Sequence, residues 1–335
     1  MSFGGTSASS APSRPAIVRR RLLFGIPALL VAVAAGSLYT PDRDRATLEA
    51  RYLAQPSDLR TVDGVSLHVR DTGPRNAPVL VLLHGLGASL YTWEPWARRL
   101  DRNYRVVRFD FPGHGLSGAV PADDYRDPRT HRLLLALLDS LHIPRATMVG
   151  NSMGGRIAWS FTAEHPERVE RLVLISPDGF ASPGFAYDKP AEVPAVLGVM
   201  RWVLPRFMLR ANLSPAYADP TRLSDTVVTR YHDLMLAPGN RQALLTRMQQ
   251  TMLIDPLPRL RRIGAPTLLL WGEQDQMIPV SNAQDYLNAI RQAQLVRLAG
   301  LGHLPFEEAP DEALVPLRAF LARPLADSAF RPALP

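Results

Sequence analysis

The chain has 335 residues, 46% of them hydrophobic and 21% charged, which suits one large buried core and excludes a disordered chain. Its formal charge is +7, but residues 1–40 carry four arginines and no acid, leaving +3 on a remainder where arginines are scattered among acids. That distribution describes a solvated surface and argues against nucleic acid as a partner. With no cysteine present, a thiol nucleophile, disulfides and thiolate metal sites are excluded.

Residues 1–21 read as a flexible basic tail ending in Arg19-Arg20-Arg21, followed by an uncharged run from Leu22 to Thr40. Those 19 residues match the length of a helix crossing roughly 30 Å of hydrocarbon. Basic residues on the amino-terminal flank would hold that end in the cytoplasm. A cleaved signal is the rival expectation, with Ala32-Val33-Ala34 as a small-residue cleavage pattern and Arg19-Arg20 resembling a twin-arginine signal. Either way the membrane is an expected partner through residues 22–40. Most of the chain is then expected outside the cytoplasm, anchored or exported.

Beyond residue 41 the pattern alternates between strands and helices. Leu59–Val62 and Val65–Arg70 predict a hairpin turning through Asp63-Gly64. Val79–Leu83 is an apolar run of the kind buried on both faces of a sheet. Further strands are predicted at Tyr104–Phe109, Thr147–Val149, Leu172–Ile175, Pro266–Leu270 and Gln294–Leu298. Helices are predicted between them at Thr92–Leu100, Thr130–Leu141 and Met153–Glu164. The expected fold class is α/β, a mostly parallel sheet with helices on both faces. From Phe180 to Pro256 the rhythm breaks, and helical patterns near Val193–Leu209, Arg222–Leu236 and Gln242–Leu253, interrupted by proline and glycine, predict a helical cap. The expected organisation is a core of residues 41–179 and 257–325, a cap of 180–256, and a tail of 326–335.

The strongest local signal is Gly150-Asn151-Ser152-Met153-Gly154, which follows an apolar strand and opens a helix. Glycines at those positions permit a turn sharp enough to leave a serine hydroxyl free above the sheet. The helix amino terminus there favours developing negative charge.

With this motif the sequence resembles the α/β-hydrolase fold family, and three further stretches carry the resemblance. His84-Gly85-Leu86-Gly87 resembles the family's oxyanion motif, which implies that the backbone N–H groups of Leu86 and Met153 hold the oxyanion. Asp110-Phe111-Pro112-Gly113-His114-Gly115 resembles a loop that is mainly architectural. Trp271-Gly272-Glu273-Gln274-Asp275 and Gly300-Leu301-Gly302-His303 resemble the acid and histidine loops. The resemblance covers about residues 59–325 and implies Ser152 as nucleophile, His303 as base and Asp275 as acid, in the chain order this fold uses. Asp178, after the strand Leu172–Ile175, is the alternative acid, and Glu273 is a solvated neighbour. His84 and His114 fall in architectural loops. His68, His131, His142, His165 and His232 read as surface or helix residues.

The expected activity is hydrolysis of a carboxylic ester with an apolar acyl group, through an acyl-enzyme, with a small molecule as substrate and with no cofactor or metal. Carbon–carbon bond hydrolases of the meta-cleavage type share the look of Gly150-Asn151-Ser152-Met153-Gly154-Gly155. They commonly have tryptophan after the histidine, where this chain has Leu304. Their glycine-rich stretch is replaced here by Leu86-Gly87-Ala88-Ser89. A non-catalytic ligand-binding protein on the same fold is the third expectation. Trp202 and the aliphatic residues of the cap are expected either to line a pocket or to pack the cap onto the core.

Overall fold

A computed structural model of the protein describes Met1, residue 36 and residues 38–181 and 186–325. Eight strands form one sheet: β1 (Leu59–Val62), β2 (Val65–Thr72), β3 (Val79–Leu83), β4 (Arg105–Phe109), β5 (Ala146–Ser152), β6 (Val169–Pro177), β7 (Thr267–Gly272) and β8 (Ala293–Leu298). Their order is β1-β2-β4-β3-β5-β6-β7-β8. β1 pairs antiparallel with β2, and β2 antiparallel with β4. Every other pairing is parallel. The expected hairpin turn holds Asp63 at φ 45° and Gly64 at φ 76°, the left-handed pair that two-residue hairpins with right-handed twist require.

Side-chain alternation divides the core into two layers. Val81, Leu83, Val107 and Phe109 point to one face, where Leu133, Leu134 and Leu137 of helix Asp127–Ser140 and Ile157 and Phe161 of helix Met153–Glu164 cover them. Leu80, Leu82 and Val106 point to the other, under Trp96 and Leu100 of helix Glu94–Leu100 and Leu314 and Leu317 of helix Pro310–Leu321. Apolar cover on both faces explains why β4 and β7 are buried at every position.

Between β6 and β7 the described residues form helices and no strand. The helix expected near Val193–Leu209 is two pieces, a 3₁₀ turn at Ala195–Arg201 and a helix at Arg206–Leu213. Pro205 stands between them, where it lacks the N–H that a continuous helix needs. The next helix starts at Asp225 rather than Arg222, because the Ser224 hydroxyl accepts from the Val227 N–H and caps it. The last spans Asn240–Gln250.

The run Leu22–Thr40 lies, apart from residues 36 and 38–40, outside the described residues, as do most of the basic tail 1–21 and the tail 326–335. Among the described residues no helix is long and apolar enough to cross a membrane.

Candidate active site

β5 ends in Ser152, which is also the N-cap of helix Met153–Glu164, at φ 54° and ψ −122°. A non-glycine residue in that region costs on the order of 1–3 kcal/mol and is held only where surrounding structure enforces it. Here the enforcement is close packing of backbones. A Cβ on Gly150 would lie 2.2 Å from the Gly154 carbonyl oxygen, and one on Gly154 would lie 2.2 Å from the Leu83 oxygen. The two glycines of the motif therefore let β3, β5 and the helix converge beneath Ser152.

The loop after β3 approaches from one side. A Cβ on Gly85 would stand 3.3 Å from the Ser152 Cβ, so the Leu86 backbone is drawn next to the serine. His84 anchors this loop: its Nδ1 donates to the Gly85 carbonyl at 2.8 Å, and its Nε2 accepts from the Phe111 N–H at 3.0 Å. Complete burial, only partly opposed by the nearby Asp110 charge, lowers the His84 pKa to about 4 and keeps the ring neutral.

The loops after β7 and β8 bring in the other two groups. His303 Nδ1 donates to Asp275 Oδ2 at 2.8 Å, both side chains being buried. That bond fixes the tautomer and leaves Nε2 free to accept a proton. Asp275 Oδ1 accepts from the N–H groups of Met277 and Ile278 at 2.8 and 2.9 Å. Burial alone would raise the Asp275 carboxyl. The His303 hydrogen bond and charge and the Ile278 N–H outweigh it and hold the pKa below the usual carboxylate value.

Three residues that the sequence pattern did not single out hold the His303 loop. Asn151 Nδ2 donates to the His303 carbonyl at 3.1 Å and to the Ile175 carbonyl at 3.0 Å. Glu308 accepts from the Gly302 N–H at 2.8 Å and from the Asp219 N–H at 2.9 Å, tying the loop to the helical insertion. The Ala216 carbonyl, also in the insertion, accepts from the His303 N–H at 2.8 Å. Asn151 sits inside the elbow motif as its variable position, and Glu308 follows the histidine by five residues. Neither has a motif of its own.

Ser152, Leu86, Met153 and His303 line one cavity of about 340 Å³, and residues of the insertion such as Leu213 and Tyr231 line it as well. A hydroxyl, an imidazole with a free nitrogen, a paired carboxylate and N–H groups at a helix start are the parts that acyl transfer to serine requires.

Asp178, the alternative acid, also borders this cavity but is engaged elsewhere. It accepts from Arg156 Nε at 2.9 Å, and the carboxylate at the imidazole is that of Asp275. Glu273 is exposed, as expected of a turn residue. His68 corrects the expectation of a surface histidine. It is wholly buried and bonds Asp110 at 2.7 Å, whose carboxylate also accepts from the Leu90 and Leu116 N–H groups. His131 and His232 are buried in their helices as well, bonded to Glu164 and to the Leu204 carbonyl. Trp202 neither lines the cavity nor packs on the core; it is 55% exposed. Among the described residues no three His, Asp or Glu side chains gather into a metal-binding set.

Comparison with known proteins agrees with this architecture. The family model described as the alpha/beta hydrolase fold matches residues 78–310. The chain is 31% identical over 254 residues to a 2-hydroxy-6-oxo-6-phenylhexa-2,4-dienoate hydrolase of Comamonas testosteroni, covering 73% of this chain and 87% of that protein. Among solved structures it is similar to a membrane phospholipase A described as a bacterial virulence factor, at 28% identity and TM-score 0.67, over 90% of this chain and 98% of that one. It is also similar to the enol-lactonase of Burkholderia xenovorans LB400, at 28% identity and TM-score 0.69, over 79% of this chain and all of that one. The sheet order, the elbow at Ser152 and the extent of these matches lead to one conclusion: the chain belongs to the α/β-hydrolase fold family and is a hydrolase.

Proposed function

We propose that the protein is a serine hydrolase that cleaves carboxylic esters of apolar acyl groups through an acyl-enzyme. Ser152 Oγ attacks the ester carbonyl while His303 Nε2 takes its proton. The oxyanion accepts from the Leu86 and Met153 N–H groups. The imidazolium then returns the proton to the departing alcohol. Water, deprotonated by the same imidazole, releases the acid and restores the serine. Asp275 keeps the imidazole in its Nδ1–H tautomer and offsets the charge it acquires.

One observation about charge carries the choice of substrate. Arg156 is the one cation among the described residues lining the cavity, and it is ion-paired with Asp178 at 2.9 Å and with Asp127. Glu192 adds a second acid to the lining. A substrate bearing a carboxylate finds no uncompensated positive charge there and would lose solvation on entry. A neutral ester does not meet that penalty. The likeness to a phospholipase A and a lactonase, both named for ester substrates, supports the same choice.

The second reading is hydrolysis of a carbon–carbon bond in a meta-cleavage product. The curated relatives favour it more directly than they favour ester hydrolysis, since they are named as dienoate or dienedioate hydrolases. Leu304, which lines the cavity where such enzymes commonly place tryptophan, argues against it. Offering the protein p-nitrophenyl esters of graded chain length beside 2-hydroxy-6-oxo-6-phenylhexa-2,4-dienoate separates the two. Turnover of the dienoate without turnover of esters would reverse our choice.

Residues 41–179 and 257–325 form the core in this proposal and 180–256 its cap. Leu22–Thr40 anchors the protein to the membrane or directs its export. Recovery of the full-length chain in the soluble cytosolic fraction would contradict that last part.

A further inference from the structure

The insertion carries an apolar face that nothing among the described residues covers. Val196, Val199 and Trp202 are spaced three apart on and just beyond the 3₁₀ turn Ala195–Arg201, and in a helix of three residues per turn they share one face. They are 72%, 49% and 55% exposed, and Phe207 and Met208, which open the next helix, are exposed as well. Side chains of this size are ordinarily buried, and several on one short stretch mark a contact surface.

The chain entering from the amino terminus meets this stretch. Leu38 and Tyr39 are exposed. Beside them Tyr39 bridges to Val203, the Thr40 N–H donates to the Trp202 carbonyl at 2.7 Å, and the Leu204 N–H donates to the Thr40 hydroxyl at 3.1 Å. Leu38 and Tyr39 fall near the end of the uncharged run Leu22–Thr40 that follows Arg19-Arg20-Arg21. The apolar face therefore lies where that run joins the folded chain. A basic-then-apolar segment suits a bilayer, and exposed tryptophan, tyrosine and phenylalanine suit its interfacial layer.

We propose that the face formed by Val196, Val199, Trp202 and Phe207, with Leu38 and Tyr39, rests in the interfacial layer of a phospholipid bilayer. Val193 borders the cavity of Ser152, and Val196, three residues on, lies on the apolar face. An apolar substrate would thus pass from the lipid into the cavity along residues 193–196. This last step rests on the ester reading, whereas the docking does not.

Trp202 reports on the docking directly. The other four tryptophans, Trp93, Trp96, Trp159 and Trp271, are buried, so subtracting the emission of Trp202→Phe isolates its signal. The test uses the full-length chain reconstituted in phosphatidylcholine–phosphatidylglycerol vesicles with brominated acyl chains. We expect the bromines to quench the Trp202 emission. Val199→Asp should shift the docked-to-undocked ratio about tenfold toward undocked while turnover of p-nitrophenyl acetate persists. Should that variant misfold, Phe207→Ser provides the same comparison. Unquenched Trp202 emission in vesicle-bound protein overturns the proposal. Trp202 shielded from acrylamide in lipid-free protein, increasingly so at higher protein concentration, also overturns it, because a second copy then covers the face. Quenching without turnover of any ester leaves the docking intact and sinks the ester reading instead.

Discussion

Asn151 Nδ2 donates to the backbone carbonyl of His303 at 3.1 Å, so the residue before the proposed nucleophile holds the loop of the proposed base. The same amide group donates to the Ile175 carbonyl on β6. Three segments distant in sequence are thereby fixed to one another at the carboxyl ends of the parallel strands.

Asn151→Ala should lower stability by about 2–3 kcal/mol, since it removes two buried hydrogen bonds. With the His303 loop less restrained, kcat should fall by roughly tenfold or more, as small misplacements of catalytic groups do, while the serine still reacts with a fluorophosphonate. Thermal melts alongside ester kinetics check both parts. An unchanged kcat would mean that the loop is held by its other contacts, from Glu308 and Ala216, alone.

The two candidate acids make opposite predictions. Asp275→Asn should reduce kcat about 10⁴-fold through loss of the Nδ1–H tautomer partner. Asp178→Asn should leave kcat within a few-fold and act instead on stability, because Asp178 pairs with buried Arg156. Ester hydrolysis by the two variants at matched folded fractions decides between them, and equal losses of kcat would count against the assignment of Asp275.

Steric demand at the elbow is testable with single methyl groups. Gly154→Ala places a Cβ 2.2 Å from the Leu83 oxygen and should prevent formation of the native turn, whereas Gly198→Ala meets nothing within 4 Å and should be silent. Yield of soluble protein and its melting temperature give the comparison. A folded, active Gly154→Ala protein would contradict the packing described for the elbow.

Stability should depend on pH through His84. An unfolded chain protonates this histidine near 6.5, the folded protein only near 4. Between those values the unfolded state binds more protons. The contribution is therefore complete above 6.5, is lost as the pH falls toward 4, and changes no further below that. At 1.36 kcal/mol per pH unit it amounts to about 3–4 kcal/mol. His114, whose pKa burial lowers in the same way, adds to the slope. Urea midpoints measured across this window should fall with acidification, and less steeply in His84→Asn. A parallel slope in that variant would assign the effect to other groups.

Much of the fold was legible because its signals are local. β3, β5 and β7 are apolar runs bounded by turn residues, and the elbow declares itself by glycines that backbone contact makes obligatory. The chain order of Ser152, Asp275 and His303 comes from local motifs at the end of β5 and in the loops after β7 and β8, and their roles from the resemblance to the family. What escaped depends on contacts across the fold. His68 reads as a surface or helix residue, yet it stands on β2 and the loop holding Asp110 folds over it and buries it. Glu308 has no local pattern, and its role at Gly302 and Asp219 follows only from how the insertion meets the core. The break at Pro205 is legible as well, because proline and glycine interrupt the helical patterns of the insertion and proline punctuates helices.

Acylation of Ser152 by an ester and its release by water are observable by intact-mass spectrometry during turnover of a slow p-nitrophenyl ester. We expect a burst of p-nitrophenol, a transient mass increase equal to the acyl group located at Ser152, and neither signal in Ser152→Ala. A folded wild-type protein that shows no adduct and releases no p-nitrophenol from esters of any chain length would contradict it.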